Sequence, residues 1–255
     1  MTTAVLQVKN LCKSFGGVHA IRDLSFDVAA DEIMGLIGPN GSGKSTTVNS
    51  LAGIYPITSG EIVLAGAPIH SQPEYERVSL GLARTFQTAS IFPEFTVREQ
   101  ITLGGSATLK SHPMSSIFRV GRVAGEREDM AARVQSILDM TGLAHVADTP
   151  VNTISSAQQR FLMIATALAA QPKILLLDEP AAGLVSHERK TLADLIRAIR
   201  DTGIAVLVIE HHMGLIMDVC DRIVVLNFGS KIAEGTPAEI RNDKAVIDAY
   251  LGEAA

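Results

Sequence analysis

The run Ile33-Met34-Gly35-Leu36-Ile37, followed at once by Gly38-Pro39-Asn40-Gly41-Ser42-Gly43-Lys44-Ser45, decides how this chain reads. The first five residues form an apolar strand. The next eight match GxxxxGK[ST], and Ser45 to Leu51 continues as a helix. Glycines let a backbone wrap closely around phosphate, so that several N–H groups point inward. The helix opening at Ser45 adds its positive N-terminal end. Lys44 places a point charge on the β- and γ-phosphates, and the Ser45 hydroxyl is suited to ligate magnesium. Strand, glycine-rich turn and helix, in that order, are the context this motif needs. Gly38, Pro39, Asn40, Gly41, Ser42, Gly43, Lys44, Ser45 and Thr46 are therefore the expected phosphate-binding residues.

A second apolar strand, Ile174-Leu175-Leu176-Leu177, ends in Asp178-Glu179-Pro180. A buried strand delivers carboxylates rigidly to the C-terminal edge of a sheet, where ligands bind in open α/β folds. Asp178 is suited to hold magnesium, directly or through water. Glu179 is suited to polarise an attacking water as general base. A third strand, Ala205 to Ile209, is followed by Glu210-His211-His212. A histidine at that edge can donate a hydrogen bond to a phosphate oxygen while orienting water. On chemistry alone the two histidines are equivalent choices.

The rest of the 255 residues frames these segments. Hydrophobic residues make up 47% and charged residues 19%, the balance of a globular chain. A formal net charge of −5 gives no general attraction to nucleic acid. The two cysteines, Cys12 and Cys220, have no metal-ligand spacing and read as unpaired thiols. Met1 to Asn10 lacks a basic segment followed by an apolar run, so no signal peptide is expected. No stretch approaches the ~20 apolar residues that span a bilayer.

Val5–Val8, Leu24–Val28 and Glu61–Leu64 read as further strands, with a turn at Gly66–Pro68. From Thr96 to about Val146 the pattern turns helical, interrupted by an aperiodic, Ser- and Gly-rich connection over Ser106–Gly125 that reads as mobile. Glu188–Arg200 reads as helix, Ile223–Leu226 and Lys231–Ala233 as a hairpin, and Pro237–Leu251 as a helical tail. Alternating helices and apolar strands imply an α/β core with a largely parallel sheet.

These motifs, in this order and across essentially the whole chain, resemble the ATP-binding cassette (ABC) family. The resemblance implies an α/β P-loop NTPase core of ABC type, with an N-terminal antiparallel β subdomain and an inserted helical subdomain. The core would take 1–95 and 171–255, and the helical subdomain 96–170, ending in the signature helix. Ala83-Arg84-Thr85-Phe86-Gln87 is similar to the family's Q-loop, which makes Gln87 a contact of magnesium or water. Phe15 falls where the family stacks an aromatic on adenine, and His211 at its switch histidine.

The family signature, usually LSGGQ, corresponds to Ile154-Ser155-Ser156-Ala157-Gln158. Ser155, Ser156, Ala157 and Gln158 would then face ATP held by a second cassette. Ser156 and Ala157 replace both glycines, and Val185 stands where relatives usually carry Asp or Asn. These departures imply an asymmetric dimer in which one composite site hydrolyses faster.

Within the family the chain is most similar to cassettes of branched-chain amino acid importers. Gly16-Gly17-Val18-His19-Ala20, Arg84-Thr85-Phe86-Gln87, Phe92-Pro93, Pro180-Ala181-Ala182-Gly183-Leu184 and the tail from Ala233 carry that likeness. The implied function is ATP hydrolysis, with ATP and Mg2+, in an importer for branched-chain amino acids or a related small solute. The implied partners are a second cassette, either a related subunit or a second copy of this chain, permease subunits and, indirectly, a solute-binding protein, at the cytoplasmic face of the cell membrane. The alternative is an ABC-type regulatory or soluble ATPase with weak hydrolysis, and the altered signature keeps it open.

Overall fold

The computed structural model describes residues 4–85, 92–106 and 120–251. The first elements are β1 (Ala4–Phe15), β2 (Val18–Ala29), β3 (Ile33–Ile37), α1 (Lys44–Ala52), β4 (Ser59–Leu64), β5 (Ala67–Pro68), α2 (Glu74–Leu80) and β6 (Leu82–Arg84). Helices α3 (Val97–Ser106), α4 (Val120–Met140) and α5 (Ser156–Leu168) follow. The remainder alternates as β7 (Ile174–Asp178), α6 (Ser186–Asp201), β8 (Ala205–Ile209), α7 (Met213–Val219), β9 (Arg222–Asn227), β10 (Ser230–Gly235), α8 (Pro237–Asn242) and α9 (Lys244–Leu251). By backbone packing these fall into two compact units, Met1–Gln87 with Lys173–Ala255, and Thr88–Pro172.

The first unit holds two sheets. One has four strands in the order β2-β1-β4-β5, all antiparallel. The other has six, in the order β10-β9-β3-β8-β7-β6, parallel except for the β9–β10 hairpin. The residues of β3, β7 and β8 are all buried, which is why these strands read as unbroken apolar runs. Each buried Val, Leu, Ile or Met side chain there contributes about 1.5–3 kcal/mol. One apolar cluster joins the two sheets, from Leu6, Leu24 and Ile62 to Met34, Leu176 and Leu207.

Strands β1 and β2 are much longer than the two short segments the alternation predicts. They pair from Ala4↔Ala29 to Phe15↔Val18, with register shifts at Val8/Leu11 and Leu11/Lys13. Asn10 and Asp23 take positive φ there (49° and 51°), and their side chains hydrogen-bond at 2.7 Å. Such bulges put the hydrophobic alternation out of phase, so its period is lost in the sequence. The tail likewise differs from a single helix. Asp243 is extended, and its carboxylate accepts the Val246 N–H at 3.1 Å, ending α8 and capping α9.

Helix α1 is anchored at its C-terminal end by Arg77 of α2, which is 1% exposed. The guanidinium donates to the carbonyls of Ser50 and Leu51 at 2.7 Å, and to those of Gln72 and His70. A cation at the last carbonyls of a helix is favourably placed. Burial lowers the Arg77 pKa. Cys220 is buried and Cys12 partly buried, both as free thiols, and burial pushes the Cys220 thiol up.

In the second unit α3 packs closely on α5. A Cβ at Gly104 would stand 2.2 Å from the Thr166 carbonyl oxygen, so only glycine admits that approach. Helix α4 already covers Val120 to Gly125, part of the stretch that reads as aperiodic connection. The rest of that connection lies outside the described residues.

Candidate nucleotide site

Because β6, β7, β8, β3 and β9 run parallel, their C-terminal ends share one edge. The register Asp178↔Ile209 and Leu36↔Ile209 brings three chain segments together there. Strand β3 leads into the phosphate loop, β7 into Asp178 and Glu179, and β8 into Glu210 and His211. Strand β6 adds Arg84, level with Leu176.

The loop between β3 and α1 is held by main-chain geometry. Gly38, Gly41 and Gly43 have φ of 151°, 72° and 105°. A Cβ at Gly38 would lie 2.1 Å from the Leu226 carbonyl oxygen, and one at Gly43 would lie 2.7 Å from that of Ala20. Gly43 is the N-cap of α1 and brings no side-chain acceptor to its first turn. Such a helix start directs backbone N–H groups toward an anion.

The Lys44 ammonium donates to the carbonyls of Gly38 (2.6 Å) and Pro39 (2.9 Å), spanning the loop. Ser42 is 1% exposed, and among the described residues its hydroxyl has no hydrogen-bond partner. Asn40, Gly41 and Ser45 are exposed, Pro39 is buried and Thr46 half-buried.

Asp178 is nearly buried, and its Oδ2 accepts a hydrogen bond from Arg84 Nη2 at 2.8 Å. Arg84 Nη1 donates to Asn49 Oδ1 of α1 at 2.7 Å. One arginine thus ties the helix after the phosphate loop to the acidic strand end. Thr85 Oγ1 accepts the Asp178 N–H at 3.3 Å.

Glu179 stands at φ 47°, a left-handed conformation uncommon for a non-glycine residue. Its N–H donates to the Ile209 carbonyl at 2.9 Å, which fixes the turn to β8. Backbone outliers of this kind concentrate at functional sites.

The pair His211-His212 separates by environment. His212 is the N-cap of α7, and its Nδ1 accepts the Leu215 N–H at 3.3 Å. The His211 side chain is 68% exposed. One ring is thus committed to a helix cap, and the other projects from the strand edge. Between them and the acidic loop lies Glu210, whose side chain is fully buried. It accepts the N–H of Ala181 at 2.7 Å and those of His211 and His212 at 3.1 and 3.2 Å.

Phe15, 44% exposed at the end of β1, meets Tyr55 edge-on at 5.2 Å, with the Lys13 ammonium 4.6 Å from its ring centre. Gln87 lies outside the described residues. In the second unit Ser155 caps α5. Its hydroxyl accepts the Gln158 N–H at 3.2 Å, while the Gln158 side chain accepts the Ser155 N–H at 2.9 Å. Ser156 and Ala157 are the first two residues of the helix.

Val185 occupies the N-cap of α6. Glu188 accepts its N–H at 2.8 Å, but valine offers the helix no acceptor in return. A cavity of about 780 Å³ opens elsewhere in the first unit, among Met213, Met217, Ile240, Val246 and Leu251, away from the phosphate loop.

Sequence reasoning missed Arg84 and Glu210. Arg84 meets Asp178 across 94 residues and Glu210 meets Ala181 across 29. Neither distance leaves a local pattern. A charged residue next to an apolar strand end was the only signal.

The pattern of the ABC transporter family matches residues 21–182, and that of the branched-chain amino acid ATP-binding cassette transporter tail matches residues 230–255. The chain is 39% identical over 255 residues to the high-affinity branched-chain amino acid transport ATP-binding protein LivG of Salmonella typhimurium, covering 100% of both chains. It is 35% identical over 250 residues to the lipopolysaccharide export system ATP-binding protein LptB of Escherichia coli, covering 98% of each. Among solved structures it is similar to the ADP conformation of MJ1267, an ATP-binding cassette of an ABC transporter. That match has a TM-score of 0.85 and 29% identity, covering 98% of this chain and 100% of the other.

Proposed function

The chain belongs to the ABC transporter family, and on that premise we propose that it hydrolyses ATP in an importer for branched-chain amino acids or a related small solute. The observation that carries the proposal is the shared sheet edge, where the phosphate loop, Asp178, Glu179 and His211 meet. The identity to LivG over the whole chain and the matching tail at residues 230–255 support import of this solute class over the export role of LptB.

In this reading the backbone N–H groups of the loop from Gly38 to Thr46, Pro39 excepted, and the Lys44 ammonium bind the ATP phosphates. Phe15 takes the adenine on its exposed face. Glu179 draws the proton from the attacking water, and His211 donates a hydrogen bond toward the γ-phosphate. The residues fit a magnesium ion held largely by the nucleotide. Among the described residues no three His, Cys, Asp or Glu side chains cluster as a metal cage, which suits an ion that keeps waters and phosphate oxygens. Ser45 and Asp178, with Gln87, would hold it, and it would neutralise charge on the β- and γ-phosphates.

Ser155, Ser156, Ala157 and Gln158 would complete a second ATP site on a related cassette. The exposed, stacked Phe92 and Phe95, 5.0 Å apart, are proposed contacts of a permease subunit. No helix among the described residues is long and apolar enough to cross a membrane. Attachment at the cytoplasmic face is therefore proposed to run through permeases.

The test is hydrolysis and transport together. Glu179→Gln keeps the shape of the side chain and removes the base. It should lower phosphate release from ATP by about 100-fold or more while leaving ATP binding in place. Cells carrying it should lose uptake of labelled leucine relative to cells with the unmodified chain at matched expression. Hydrolysis at the unmodified rate would refute the role of Glu179. Unchanged leucine uptake alongside lost hydrolysis would refute the solute.

A further inference from the structure

We infer that Glu210 is a positioning residue for hydrolysis, which locks the loop after Glu179 and the segment bearing His211 into one unit. This rests on the roles proposed above for Glu179 and His211. The geometry is specific. Glu210 directly follows the last residue of β8, and its side chain is fully buried at the edge where the two loops begin. One carboxylate oxygen accepts the Ala181 N–H at 2.7 Å, two residues beyond Glu179. The other accepts the amides of His211 (3.1 Å) and His212 (3.2 Å).

Its neighbours complete the tie. The Glu179 N–H bonds the carbonyl of Ile209, and His212 caps α7. The two loops thus share two links, Glu179 N–H to Ile209 and Ala181 N–H to Glu210, within two residues of the proposed general base. The His211 ring nitrogen lies 3.8 Å from the nearer Glu210 oxygen, beyond hydrogen-bond range. Glu210 therefore acts on the placement of the histidine through its backbone amide, not by holding the ring.

An uncharged apolar residue at 210 would remove the acceptor of one buried N–H, that of Ala181, and of two part-buried ones, those of His211 and His212. Glutamine keeps the shape but offers a single acceptor oxygen, so its NH2 must face one of the two sets of donors. Misplacing reacting groups by an ångström is worth about 100-fold in rate, without equal loss of ground-state binding.

The experiment measures ATP hydrolysis and binding of a fluorescent ATP analogue by the purified chain, with thermal unfolding recorded for every variant. Glu210→Gln should lower kcat about 10- to 100-fold and shift analogue affinity less than about 3-fold. In a His211→Ala background the same substitution should lower kcat by a smaller factor than it does alone, because one of the two groups it places is gone. Glu210→Asp keeps the charge but is one methylene too short to reach both loops. It should behave like Glu210→Gln and serves if the glutamine variant fails to fold.

A folded variant with kcat within 3-fold of the unmodified chain would overturn the inference, as would penalties that multiply in full in the double variant. Failure of both variants to fold would also overturn it, since Glu210 would then be a structural residue alone. Glu179→Gln, run in parallel, separates the two readings. If it leaves hydrolysis intact the site assignment falls. If it abolishes hydrolysis while Glu210 variants stay active, only this inference falls.

Discussion

Two helix entries in this molecule have met opposite fates. The loop into α1 keeps its glycines, whereas the turn into α5 carries Ser156 and Ala157 where the family usually has glycine. In the first, Gly38 and Gly43 have φ of 151° and 105°, and added Cβ atoms would strike main-chain oxygens at 2.1 and 2.7 Å. In the second, Ser155 is extended at φ −64° and closes a capping box with Gln158, and the next two residues are ordinary first-turn helix. Glycine is irreplaceable where the chain is left-handed and crowded, and dispensable where it is helical and exposed. The altered signature therefore carries no folding penalty. In the proposed dimer, any effect it has on activity lies in the surface it offers the second cassette.

The largest expected effect comes from breaking the first entry. Gly38→Ala should cost about 4 kcal/mol in urea unfolding, with loss of measurable ATP binding, because the Leu226 carbonyl belongs to a buried strand and cannot yield. A variant as stable as the unmodified chain would mean the loop has another backbone path.

Next comes the clamp beneath it. Arg84→Met leaves the Asp178 carboxylate nearly buried without its guanidinium partner and should cost about 3 kcal/mol by the same assay. A loss below about 1 kcal/mol would show that water reaches Asp178 and that the pair is dispensable.

The smallest effects probe helix entries alone. Val185→Asp supplies α6 with the acceptor its N-cap lacks and should stabilise the chain by about 1 kcal/mol. Ala157→Gly should destabilise it by about 0.5–1 kcal/mol, since alanine is the better helix former. Restoring the family residues at both positions would then change stability little. A change in hydrolysis rate in that double variant reports on the composite site rather than on folding, which tests the asymmetric dimer. Equal rates before and after would count against it.

Much of the local structure at this sheet edge is legible in the sequence, and the reason is local. The phosphate loop, Asp178-Glu179 and the strand before Glu210 each occupy one contiguous segment, and each depends on short-range geometry. What escaped notice depends on distance or on phase. Strands β1 and β2 were read short because bulges at Asn10 and Asp23 reset their alternation. Helix α2 and strand β6 are only seven and three residues long, too short for a period to declare itself. The ambiguity of His211 and His212 was real in the sequence. The structure separates their surroundings: the His212 ring caps the Leu215 N–H, and the His211 ring is exposed.

The sequence by itself determined the α/β class, the glycine-rich loop between β3 and α1 and the acids at the end of β7. A glycine pattern constrains its own backbone, and an unbroken apolar run admits few environments other than a strand buried on both faces. Only the tertiary structure decided which side chains support that chemistry. Arg84 finds Asp178, and Glu210 finds Ala181, because parallel strands bring their ends to one edge and burial there demands that every charge and amide be paired.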